Sequence, residues 1–118
     1  MIASTDAYLD RRYDRANYNC LHFARDVWYD LTGVDVTERL IGVLGSPDKR
    51  HTKPSHLRGW TKHKEPVDPC VVIFSRTRSQ PHMGIYFRGS VLHLHERGVS
   101  FQPVDIAARG FDTVRYYT

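Results

Sequence analysis

The sequence predicts an α+β domain in which N-terminal helices pack on an antiparallel sheet of about five strands. Two observations predict this fold class. Apolar residues recur at helical spacing in the first third of the chain, and runs of β-branched and aromatic residues follow residue 69. The length of 118 residues, with 41% hydrophobic residues, fits one globular domain. We therefore treat residues 1–118 as a single domain.

The first helix is predicted to begin after Asn19 and to end before Gly33. Asn19 suits an N-cap, and Gly33 suits the position that follows the last helical residue. A second, shorter helix is predicted over residues 36–44. The apolar residues of the first helix recur every three or four positions and lie on one face: Cys20, Phe23, Ala24, Val27, Trp28 and Leu31.

The second half of the chain has the pattern of a sheet. A continuous apolar run marks one strand, and two further strands flank the hairpin signal at residues 88–90. The predicted strands cover residues 70–74, 83–87, 91–95, 99–102 and 113–117.

The hairpin determines which side chains share a face. A two-residue turn pairs even-numbered residues of its first strand with odd-numbered residues of its second. His82, His93 and His95 then lie on one face, and the apolar residues of both strands lie on the other. Gly84 lies among the histidines and has no side chain, so the rings of His82 and His93 can approach each other. One imidazole would act as a base and the second would orient it.

Composition and charge exclude several classes of protein. No apolar run approaches the roughly 20 residues of a membrane-spanning helix, and the N-terminus lacks the features of a signal peptide. We therefore expect synthesis in the cytoplasm and no membrane span. With two cysteines, Cys20 and Cys70, neither a disulfide scaffold nor a cysteine-rich zinc module is possible.

The net charge of +4 comes from one basic loop at residues 48–64, which carries six Lys and Arg against one acidic residue. This loop is either a solvated segment or a docking site for an anionic polymer or an acidic partner. It lacks the interleaved aromatic residues that nucleic-acid binding favours, so we expect no nucleic-acid partner.

Cys20 is the candidate nucleophile. At the first helical position, backbone N–H groups and the helix dipole favour a thiolate, which predicts a pKa below the ordinary value of about 8.5. The same N–H groups can hold an oxyanion. The alternative is that Cys20 is a small buried apolar residue. His22 is rotated by roughly 200° from Cys20 around the helix and is expected to be structural, which leaves the hairpin histidines as the base.

Tyr18-Asn19-Cys20 opens the first helix. The apolar strand 70–74, the segment His82-Met83-Gly84-Ile85-Tyr86 and the returning strand with His93 follow it in that order. This order of motifs resembles the NlpC-type papain-like cysteine peptidases, which cleave stem peptides of bacterial peptidoglycan. The resemblance covers residues 13–117. A small form with no export signal and no wall-anchoring repeat is similar to proteins encoded in phage tail-assembly regions.

The resemblance implies a papain-like fold and a role for each matching residue. Cys20 would be the nucleophile, His82 the general base and His93 the orienting residue, with His95 as the alternative to His93. Tyr18 and Asn19 would assist at the oxyanion or the substrate carbonyl. The implied substrate is a peptidoglycan stem peptide, the implied partners are phage tail-tip proteins in a virion tail, and neither cofactor nor metal is implied.

The chain departs from this family beside the cysteine. Cell-wall recycling members usually have Asp before it and Ser after it, whereas this chain has Asn19 and Leu21. The change removes a carboxylate partner for a free substrate amine. The string Asn-Cys-Leu-His-Phe is also similar to a motif of the lecithin–retinol acyltransferase group. There the catalytic histidine precedes the cysteine, so the NlpC-type order is the better match.

Two other functions remain open from the sequence. One is a catalytically silent structural or adaptor component of a phage tail, because a fold does not establish an activity. The other is a zinc hydrolase in which His82, His93 and His95 hold the metal, since an H-x-H pair with a third histidine on the neighbouring strand is a workable ligand set.

Overall fold

A computed structural model describes residues 5–36, 59–77 and 81–118 of the chain. They form an α+β fold, as predicted, with one long helix on a sheet of six antiparallel strands. The elements are a 3₁₀ helix at Asp6–Tyr8, α1 at Cys20–Thr32, β1 at Lys62–His63, β2 at Cys70–Ser75, β3 at His82–Phe87, β4 at Ser90–His95, β5 at Gly98–Gln102, α2 at Val104–Ala107 and β6 at Thr113–Tyr117.

The architecture differs from the prediction in two short elements. The sheet has six strands rather than about five, because the two-residue strand β1 lies within the segment that we expected to be a basic loop. The short helix α2 was also not predicted. The helix predicted over residues 36–44 falls outside the described residues except for Val36, which is buried.

The ends of α1 are those that the sequence predicts. The Asn19 side chain accepts a hydrogen bond from the N–H of Leu21 at 3.0 Å, and Nδ1 of His22 accepts one from the N–H of Asn19 at 3.1 Å. This reciprocal arrangement is a capping box in which histidine takes the usual place of Glu or Gln. Gly33 follows the last helical residue with a φ of 75°, the left-handed conformation that glycine adopts without strain.

The strands lie in the order β1-β6-β2-β3-β4-β5, and every neighbouring pair is antiparallel. The hairpin between β3 and β4 turns at Arg88 and Gly89, both with positive φ, as in the tight turns that suit twisted strands. Its register pairs Phe87 with Ser90 and Ile85 with Leu92. The sorting of side chains predicted from the two-residue turn is therefore confirmed.

The sheet separates two apolar layers. We call them the α1 layer and the α2 layer after the helix that lies in each. Because side chains alternate along a strand, β2, β3, β4 and β6 contribute to both layers. The α1 layer contains Cys20, Phe23, Ala24, Val27, Trp28, Val71, Ile73, Met83, Ile85, Phe87, Leu92 and Leu94, among others. The α2 layer contains Cys70, Val72, Phe74, Val91 and Ala107, with Tyr86, Val104, Phe111 and others against it.

The two cysteines lie in different layers, and both are free thiols. Cys70 is fully buried, as its apolar strand predicts. Within the described ranges, no helix has the length and apolar character that crossing a bilayer would require.

Candidate active site

Cys20 lies at the start of α1, with 9% of its surface exposed. The nearby backbone N–H groups of Met83, Leu21 and Cys20 itself favour the thiolate and act to lower the pKa of the thiol. Burial acts in the opposite direction and is the larger effect, so the pKa of the thiol is raised. The expected depression of the Cys20 pKa is therefore wrong for this structure, because a thiolate at this helix start would also be desolvated.

His82 and His93 make the contact that the sequence predicts. Nε2 of His82 lies 2.8 Å from Nδ1 of His93 across the gap left by Gly84. Nε2 of His93 lies 3.1 Å from Oε1 of Gln102 on β5. His93 is buried, with 6% of its surface exposed, and the His82 ring stacks on Phe111 at a centroid distance of 5.8 Å. We call the three polar side chains, His82, His93 and Gln102, the relay.

His95 has other partners. Its Nδ1 accepts a hydrogen bond from the N–H of Arg97 at 3.2 Å, and its Nε2 lies 2.8 Å from the hydroxyl oxygen of Ser100. Of the two histidines considered as the third residue, His93 is thus the one that hydrogen-bonds to His82. Whether His93 orients a catalytic base stays a prediction.

The relay histidines are neutral at neutral pH. Burial lowers the pKa of His82 to about 3, and the nearby His93 and His95 rings act in the same direction. Burial also lowers the pKa of His93, against the opposing effect of its hydrogen bond to Gln102. With the pKa of Cys20 raised, a thiol and neutral imidazoles are the resting forms.

The thiol and the relay lie on opposite faces of the sheet, near the same end of β3. Cys20 belongs to the α1 layer, whereas the His82 ring packs on Phe74 and Phe111 in the α2 layer. The pairing of β3 with β4 ends at Ile85 and Leu92, and beyond that point the backbone N–H of Met83 acts to lower the pKa of the Cys20 thiol. No hydrogen bond joins the sulfur to the His82 ring in the described part of the chain. The structure therefore does not bring the predicted nucleophile and the predicted base into contact, and the two are connected only through the backbone at Met83.

The side chains of Tyr18 and Asn19 are both hydrogen-bonded to other groups near the start of α1. The hydroxyl of Tyr18 donates to Oδ2 of Asp26 at 2.7 Å and accepts a hydrogen bond from Arg11. Burial and the Asp26 carboxylate raise the pKa of Tyr18 to about 12. The Asn19 side chain caps α1. Their assistance at an oxyanion stays a prediction, and the N–H donors that reach the sulfur come from the backbone.

The zinc alternative has no support in the geometry. The described residues contain no group of three His, Cys, Asp or Glu side chains placed to hold a metal ion. The reason is local, because Nε2 of His93 is directed at Gln102 and Nε2 of His95 at Ser100. The ring nitrogens of the three histidines therefore do not converge on one point.

Three features of the site were not predicted. They are the N–H of Met83 at the sulfur, the Gln102 side chain at His93, and Tyr13, whose pKa is raised by burial and by the nearby Cys20 and Glu96. A signal for Gln102 was present in the sequence. The hairpin between β4 and β5 pairs His95 with Gly98, so even-numbered residues of β5 share the histidine face.

Comparison with known proteins adds no relative. The chain matches no protein-family model, no curated protein and no solved structure.

Proposed function

We propose that this protein is a cysteine hydrolase of the NlpC-type papain-like class, with Cys20 as nucleophile, His82 as general base and His93 as the residue that orients the base. The observation that carries the proposal is the 2.8 Å contact between the His82 and His93 rings, one residue from Met83, whose backbone N–H favours the Cys20 thiolate. A nucleophile, a base and a group that orients the base are the minimum for this chemistry.

The proposed reaction is acyl transfer from an amide to sulfur. Nε2 of His82 is held by His93, which leaves Nδ1 to take the thiol proton as the sulfur attacks the carbonyl carbon. The backbone N–H groups at the helix start, with that of Met83, stabilise the oxyanion. His82 then gives the proton to the leaving amine as the carbon–nitrogen bond breaks, and water hydrolyses the thioester.

The protonation states define how the proton moves. A thiol with a raised pKa and an imidazole with a lowered pKa do not form a stable ion pair at neutral pH. Proton transfer is therefore coupled to attack on the carbonyl rather than completed before it. For this step the thiol and the His82 ring, which lie on opposite faces of the sheet, must approach each other at the end of β3 that is not paired with β4.

The substrate that we propose is an amide bond of a peptidoglycan stem peptide, with a phage tail as the setting and tail-tip proteins as partners. The order of motifs around Cys20, His82 and His93 supports this choice. Because Asn19 stands where a carboxylate would bind a free amine, we propose cleavage within a stem peptide rather than recognition of its free N-terminus.

The test is incubation with soluble peptidoglycan fragments, followed by mass spectrometry of the products. We expect the wild-type protein and Cys70→Ala to release new amino groups from stem peptides. Cys20→Ala and His82→Ala should lose activity by roughly 100-fold or more. Equal cleavage by Cys20→Ala would refute the proposed nucleophile.

A second candidate is a silent structural component of a phage tail. The observation that favours it is the buried thiol with a raised pKa and no hydrogen bond to His82 within the described ranges. Such a component would cleave no fragment, and Cys20→Ala would assemble into tails and infect as well as the wild type. Loss of infectivity in that variant, with tails assembled normally, would count against it.

A further inference from the structure

We propose that Gln102 is a positioning residue that fixes which nitrogens of His82 and His93 carry protons, and so leaves Nδ1 of His82 free as the base. The catalytic meaning of this inference rests on the proposed function. The arrangement of protons itself does not, and it can be measured without any substrate.

The argument starts at the amide oxygen. Oε1 of Gln102 lies 3.1 Å from Nε2 of His93, and a carbonyl oxygen can only accept a hydrogen bond. Nε2 of His93 must therefore carry a proton. A neutral imidazole has one N–H, so Nδ1 of His93 is an acceptor.

The same reasoning continues to the next ring. Nδ1 of His93 lies 2.8 Å from Nε2 of His82, and because Nδ1 accepts, Nε2 of His82 donates. The single proton of a neutral His82 ring is then on Nε2, and its Nδ1 holds an unshared electron pair. This is the nitrogen that can take a proton from a thiol.

Gln102 is well placed to impose this order. It is the last residue of β5 and pairs with Val91, so its side chain shares the face of His93 and lies diagonally across the strands from it. His93 is almost fully buried, so no water competes easily for its Nε2–H. His95 also faces His93, but both of its own nitrogens are bound, by Ser100 and by the N–H of Arg97.

Removal of the Gln102 acceptor should move the protons of His93 and His82 to the other nitrogen of each ring. Without Oε1, the Nε2–H of His93 would be buried and unpaired, which costs free energy. The ring relieves this by moving its proton to Nδ1, which then donates to Nε2 of His82. The His82 proton must then reside on Nδ1, and the base is blocked.

The experiment is long-range ¹H–¹⁵N NMR of the histidine rings at pH 7 in the full chain, with rates on peptidoglycan fragments as a second measurement. Gln102→Leu and the more nearly isosteric Gln102→Met remove the acceptor, while Gln102→Glu retains it. Ser100→Ala is the matched control, because Ser100 lies on the same strand and face and binds His95.

In the wild-type protein we expect protons on Nε2 of both His82 and His93. The Leu and Met variants should show them on Nδ1, with kcat lower by roughly 100-fold and KM unchanged. Gln102→Glu, which keeps an acceptor oxygen at this position, should retain the wild-type proton positions. Ser100→Ala should change neither the His82 nor the His93 signals.

Two results would overturn the inference. One is a wild-type spectrum with the proton of His82 on Nδ1, which needs no variant to fold. The other is unchanged proton positions in Gln102→Leu and Gln102→Met. If the expected proton positions are found but the wild type cleaves no fragment, the role of Gln102 in ordering the protons is supported and the proposed hydrolase function fails.

Discussion

Replacement of Gly84 with alanine tests the packing on which the relay depends. A Cβ at this position would lie 2.6 Å from Cγ1 of Val91, 3.1 Å from Cβ of His93 and 3.2 Å from the carbonyl oxygen of Leu92. None of these atoms is the end of a flexible side chain. Val91 is fully buried and β-branched, so its rotation is restricted. The strands β3 and β4 must therefore move apart.

The sign of the stability change makes this variant informative. Gly84 is not among the glycines with positive φ, so its backbone conformation is open to alanine. At such a site Gly→Ala usually stabilises by about 0.4–1 kcal/mol, because the unfolded chain loses freedom. Overpacking of a filled interior costs about 1–3 kcal/mol. Since the closest contact is far shorter than van der Waals distance, we expect a net destabilisation of about 2 kcal/mol.

Urea unfolding followed by circular dichroism measures the change. A loss of about 2 kcal/mol should lower the midpoint by about 1 M. The double variant Gly84→Ala with Val91→Ala removes the closest contacting atom, so its loss should be smaller than the sum of the two single losses by about 1 kcal/mol. A Gly84→Ala protein as stable as wild type, or losses that simply add, would refute the reasoning.

Three further predictions concern the histidines and thiols. His82 stays unprotonated in the folded state down to about pH 3 but takes a proton near its ordinary value of 6.5 when unfolded. The free energy of unfolding should therefore fall as the pH drops from 6.5 towards 3, by up to about 1.4 kcal/mol per unit; an equally steep slope in His82→Gln would contradict this. His22→Ala should lower stability by about 1 kcal/mol through loss of the capping box, and His22→Gln should restore most of it; equal melting temperatures for all three proteins would argue against the cap. In a Cys70→Ala background, the rate of Cys20 alkylation should still rise above pH 9, whereas a plateau below pH 8.5 would show a depressed pKa.

Features set by neighbouring residues could be predicted from the sequence. Asn19 and Gly33 determine where α1 begins and ends, because each depends only on local backbone geometry. A two-residue turn determines which side chains of β3 and β4 share a face of the sheet, because even-numbered residues of one strand then pair with odd-numbered residues of the other. The same rule, applied to the turn after His95, would have put Gln102 on the histidine face.

Features set by distant contacts could not be predicted in this way. The two-residue strand β1 exists because it pairs with β6 at the other end of the chain, where His63 also hydrogen-bonds to Thr118. The direction of the Cys20 pKa shift depends on how deeply the sulfur is buried against β3. The position at the start of a helix alone predicts a lowered pKa for the thiol. The local sequence does not show that another element buries the sulfur, and this burial raises the pKa.

The two apolar layers place the residues around Cys20 and the residues of the relay on opposite faces of the sheet, where they can mutate separately. The packing that holds Cys20 is built from α1 and the side chains on one face of the sheet, whereas the relay depends on the other face. A substitution at position 93 or 102 can change the basicity of the relay histidines without repacking the helix that bears the sulfur. Substitutions on the two faces of the same strands can therefore accumulate largely independently, because each face packs in its own apolar layer.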